Sequence, residues 1–62
     1  MKVRINLKHV HKPYLAVKKN EAGDYETIAG GSSEYYMMKK YDIVIENLTL
    51  KVLKGKLDWK MR

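Results

Sequence analysis

Tyr35, Tyr36 and Tyr41 flank Lys39 and Lys40 in the stretch EYYMMKKY. A ring can stack an unpaired base while a neighbouring ammonium neutralises its phosphate, so this pairing suits single-stranded nucleic acid. Tyr36 is the candidate stacking platform, weighed against the plainer role of covering a half-buried position. Trp59 also sits beside a cation, between Asp58 and Lys60. Its alternation with Leu57 and Met61 assigns it to the core instead.

The other reactive side chains form no complete site. His9 and His11 would share one side of a strand and make half a zinc site, but zinc needs a further protein ligand. The carboxylates that could supply it, Asp24, Glu26 and Asp42, are not placed by the sequence, and ordinary strand-end histidines are the simpler reading. The stretch AGGSSE could turn backbone N–H groups toward an anion, yet it lacks the lysine and spacing of a phosphate-binding loop. A connection with a capping serine accounts for it. No serine–histidine arrangement or carboxylate pair stands out, and a chain of 62 residues has little room for a sheltered pocket. The expectation is a protein that is not an enzyme and needs no cofactor.

Charge gives the stronger bias. The net charge is +6, which draws a protein toward nucleic acid first and acidic protein surfaces second. It is unevenly placed: residues 1–12 and 47–62 hold nine basic residues against one acid, whereas residues 13–46 hold four against six. Eleven lysines against two arginines fit an AT-rich bacterial or phage genome. There is no cysteine, so neither disulfides nor thiolate metal clusters contribute. No apolar run approaches the roughly 18 residues a spanning helix needs, nor does a signal-peptide core follow Lys2 and Arg4. A soluble, cytoplasmic protein without membrane attachment is expected.

The elements that must carry these residues read mainly as strands. MKVRINLK alternates, with Met1, Val3, Ile5 and Leu7 on one face and Lys2, Arg4, Asn6 and Lys8 on the other. Pro13 marks a corner, after which YLAVKK forms a second strand. A three-residue loop, Glu21-Ala22-Gly23, with Gly23 left-handed, leads into YETIA and sets Lys18 opposite Glu26. Residues 33–40 read either as one or two helical turns capped by Ser33 or as a further strand. In YDIVIENLTLKVL the apolar residues change phase, which requires a bulge or bend near Glu46-Asn47. Finally, LTLKVLKGKLDWKMR reads as a hairpin turning at Lys54-Gly55, with Leu48, Leu50 and Val52 facing Met61, Trp59 and Leu57.

One small, mainly β domain of about five antiparallel strands over residues 1–62 follows, a barrel or sheet similar to OB-type or SH3-like barrels at the level of strand order. A core this small supplies only about 3–5 kcal/mol, so a homodimer is a further expectation. Barrel closure would bring the first strand beside the terminal hairpin. Lys2, Arg4, Lys8, Lys51, Lys54, Lys56, Lys60 and Arg62 would then form one cationic surface for phosphates, with Tyr36 as a stacking ring. The alternative is a protein-interaction module, such as a phage-type regulator, an inhibitor or a self-associating component, that uses exposed strand edges.

Overall fold

The computed structural model describes residues 3–57. Five strands and one helix follow in the order β1 (Val3–Arg4), β2 (Tyr14–Lys19), β3 (Tyr25–Gly31), α1 (Glu34–Lys40), β4 (Val44–Glu46) and β5 (Val52–Lys54). They form a single mixed sheet in the order β1-β3-β2-β4-β5. The expected antiparallel sheet is mixed instead: β1 runs parallel to β3, with Val3 opposite Tyr25 and Arg4 opposite Glu26. The sheet is not a closed barrel among the described residues, because β1 and β5 lie at opposite edges.

The first strand is short because Asn6 ends it. Its side-chain oxygen accepts from the Lys8 N–H at 2.9 Å, its carbonyl accepts from the His9 N–H at 2.8 Å, and its own N–H donates to Thr27 Oγ1 at 2.9 Å. Asparagine competes for the backbone in this way and converts a strand into a turn. The chain then crosses the sheet through a run of turns before β2 begins, which explains why Leu7, assigned inward by alternation, is 86% exposed.

The β2–β3 hairpin forms as its sequence predicts. Gly23 has φ +88, its N–H donates to the Asn20 carbonyl at 3.0 Å, and Lys18 stands opposite Glu26. Asn20 Oδ1 also accepts from the Ala22 and Asp24 N–H groups, which pins the turn from within. Farther along, the register shifts so that Ala16 faces Ala29 and Val17 faces Thr27. Ile28 is the extra residue of this bulge, and it stays half exposed.

The phase change after Ile45 is a reversal of the chain. A four-residue loop over residues 47–50 folds β5 back onto β4, with Val44 opposite Lys54 and Ile45 opposite Val52. The Leu50 N–H donates to the Glu46 carbonyl at 2.8 Å, and Leu50 takes φ 59. Thr49 Oγ1 donates to Glu46 Oε1 at 2.6 Å. The hairpin expected at Lys54-Gly55 is not formed among the described residues: Leu48, Thr49 and Leu50 lie in this loop, Lys56 and Leu57 belong to no strand, and the expected pairings with residues 58–62 lie outside the described residues. Gly55 nevertheless has the positive φ expected of it, +82.

Both sheet faces are covered. On one, Leu15, Val17, Tyr25 and Ile45 are buried with Val3, Ile5, Ile43, Val52 and Leu57 packed against them. On the other, Ala16 and Val44 meet Met37 of α1, with Tyr14, Ala29, Met38, Tyr41 and Leu53 around them. Val3 and Ile5 thus reach the same face as Val52 and Leu57 although β1 and β5 are not sheet neighbours, whereas Leu48 and Leu50, assigned inward by alternation, are exposed in the loop after β4.

Candidate nucleic-acid interface

Ser33 starts α1. Its Oγ accepts from the Tyr36 N–H at 3.2 Å, and its carbonyl accepts from the Met37 N–H at 3.1 Å. Glu34 in the first turn and Lys39 and Lys40 in the last complement the helix dipole. Met37, Met38 and Tyr41 pack inward, which leaves Tyr35 and Tyr36 facing solvent at 74% and 53% exposure. A strand would have exposed only one of this adjacent pair; the helix exposes both.

Helical spacing sets a lysine beside each ring. Lys39 Nζ lies 5.5 Å from the Tyr35 ring centre, and Lys40 Nζ lies 5.4 Å from that of Tyr36 and 5.8 Å from that of Tyr41. Lys40 Nζ also donates to the Tyr36 hydroxyl at 3.0 Å. That hydrogen bond, with the charge interaction of Tyr36 and then of Tyr41, raises the Lys40 pKa above the ordinary lysine value. Next to it opens a cleft of about 320 Å3 lined by Val17, Lys18, Lys19, Ile28, Lys40, Tyr41, Asp42 and Ile43. Lysines therefore arrive from both β2 and α1, and the bulged Ile28 supplies an apolar wall.

The basic residues singled out by the sequence are divided. Arg4 is exposed on β1, Lys8 is exposed in the turns that follow, and Lys51, Lys54 and Lys56 are exposed in or beside β5. Four interstrand steps, roughly 19 Å along the sheet, separate β1 from β5. The single surface expected from barrel closure is therefore absent among the described residues, because β3, β2 and β4 intervene. Lys54 is also occupied: its Nζ donates to the Met38 carbonyl, one of the α1 acceptors left without an intrahelical partner. Lys2, Lys60 and Arg62, like Trp59, lie outside the described residues. Tyr36 is exposed as a stacking role requires, and the lysine placed against its ring is Lys40. Lys18 and Lys19 were not singled out by the sequence, since nothing local shows that β2 runs beside the helix end.

His9 and His11 are not strand neighbours. Both sit in turns, where His9 Nδ1 is 3.0 Å from Thr27 Oγ1 and His11 lines a separate cleft. Among the described residues no group of three His, Asp or Glu side chains is placed to hold a metal ion. No helix among them is long and apolar enough to cross a membrane. Comparison with known proteins finds no matching family model, curated protein or solved structure.

Proposed function

We propose that the protein is a small nucleic-acid-binding module, binding rather than catalytic, that engages single strands through the outer face of α1 and the cleft beside it. The observation that carries this reading is the pair of exposed tyrosines, each with a lysine one turn on, on a helix whose Lys40 also lines a cleft together with Lys18, Lys19 and Tyr41. Bases stack on a tyrosine face only when they are unpaired, which favours single strands over duplex. Phosphates have lysines on two elements to span.

The test is a salt titration of binding to single- and double-stranded DNA and RNA. Contacts to Lys18, Lys39 and Lys40 predict a slope of about −2 in log K against log salt on single strands, at ~0.7 per phosphate. Tyr36→Ala should weaken binding about tenfold, within the stacking range of a few kcal/mol per base. Lys51→Glu, at the Glu46 end of β4 and so away from the Asp42 and Ile43 end that lines this cleft, should have a much smaller effect. Equal loss from Lys51→Glu and from Tyr36→Ala would move the contact surface back to the basic strand residues.

A second reading, a protein-interaction module, draws on a different observation. A cleft of about 280 Å3 is lined by Val10, Pro13, Tyr14 and Leu48, and Leu48 is 95% exposed at its rim. Apolar docking there would be nearly indifferent to salt, which separates the two readings in the same titration.

A further inference from the structure

We infer that Asp42 selects the base held at the α1 cleft, favouring one that presents adjacent N–H donors, guanine above all. The inference rests on the nucleic-acid reading above and adds a specificity to it. Asp42 is the single acid lining that cleft, among three lysines, a tyrosine ring and aliphatic walls. Its backbone is held on both sides: the Tyr41 N–H donates to the Met37 carbonyl at 3.0 Å, and the Ile43 carbonyl accepts from the Val17 N–H at 3.1 Å. Gly55 packs directly over the Asp42 carbonyl, at a separation that leaves no room for a side chain. The exposed Asp42 side chain therefore leaves a fixed point of the backbone beside Tyr41, the ring that lines the cleft with it.

An ionised carboxylate only accepts hydrogen bonds. Guanine offers it N1–H and the N2 amino group side by side, cytosine and adenine offer one amino group each, and thymine or uracil sets carbonyl oxygens beside its single N3–H. Opposed to a carbonyl, the same carboxylate repels. A negative charge among phosphate-binding lysines also lowers affinity for any strand, so Asp42 should cost general affinity while it confers choice.

The experiment compares two oligothymidylates of about eight nucleotides, one carrying a single central guanine, a length suited to one small binding surface. The wild-type protein should bind the guanine-containing strand about tenfold more tightly, the scale of one good bidentate base contact. Asp42→Ala should bring the two strands level and bind plain oligothymidylate more tightly than wild type. Asp42→Asn, which cancels the charge and keeps one acceptor, should fall between them. The Asp42 side chain is exposed, and circular dichroism would confirm that both variants stay folded. Equal wild-type affinity for both strands, with binding still salt-sensitive, overturns the role of Asp42 and leaves the general reading standing. A guanine preference that survives in Asp42→Ala overturns it as well. Absence of binding to either strand overturns both.

Discussion

Two glycines with left-handed backbones show how differently the same dihedral constrains a residue. At Gly23, φ is +88 and an added Cβ would meet nothing within 4 Å. At Gly55, φ is +82 and the same atom would sit 2.5 Å from the Asp42 carbonyl oxygen and 3.1 Å from Ile43 Cγ1. Gly23→Ala therefore carries only the dihedral cost, about 1 kcal/mol, whereas Gly55→Ala must also displace backbone and should cost at least ~2 kcal/mol more. Urea denaturation of the two variants checks this. Equal destabilisation would mean that the Gly55 contact relaxes freely. A glycine turn is legible in the sequence at both positions, since Lys-Gly and Ala-Gly interrupt apolar alternation. It carried no sign that Gly55 presses on the segment after the helix, because that contact joins positions 13 residues apart in the chain. Asn47 was hidden for the same reason: its Nδ2 donates to the Val10 and Lys12 carbonyls at 2.9 and 2.7 Å, tying the β4–β5 loop to the crossing segment. Asn47→Ala should lose about 1–2 kcal/mol in the same assay.

At the level of elements, local signals were legible and pairings between distant segments were not. The limits of β2, the loop and register of the β2–β3 hairpin, and the Ser33 cap of α1 each depend on residues within a few positions of one another. The strand order depends on what Asn6 and Asn47 do. Alternation in MKVRINLK suggested a long first strand, and only the turn made by Asn6 shows why it stops. Likewise, the odd-to-even change of phase after Ile45 fits a bend or a reversal equally well, and the choice falls to a four-residue loop with Leu50 in a left-handed conformation. The cationic surface depended on that missing order, which is why those of its residues that are described divide between the two ends of the sheet. One consequence concerns α1 and β5. Lys54 secures the last turn of a seven-residue helix by donating to the Met38 carbonyl, so Lys54→Met should fray that turn although the charge lies outside the helix. Faster amide exchange at Lys40 and Tyr41, with β2–β3 unchanged, is the expected result. Unchanged exchange would assign Lys54 to solvent and return it to the list of cations available for phosphate.

For the whole molecule, the limiting quantity is core size. Among the described residues the buried apolar side chains form two small groups, one on each sheet face, and the fully buried large ones are Leu15, Met37, Ile45 and Val44. A chain of this length holds only a few kcal/mol in reserve, about 3–5, and truncating one such side chain costs a comparable amount. Small reserves make stability a sensitive reporter of binding. A ligand that binds only the folded form, present at ~100 times its Kd, adds about 2.7 kcal/mol. In a domain this small each kcal/mol raises Tm by roughly 4–8 °C, so a saturating single-stranded oligonucleotide should raise Tm by about 10 °C or more. The same strand annealed to its complement should raise it far less, because paired bases cannot stack on Tyr35 and Tyr36. Salt should erase the shift, since the lysines of β2 and α1 are exposed and would meet phosphate through unburied charges. A duplex that stabilised as strongly as its separated strand would show the lysines working without the rings. The interface would then be an electrostatic surface in which the tyrosines of α1 have no part.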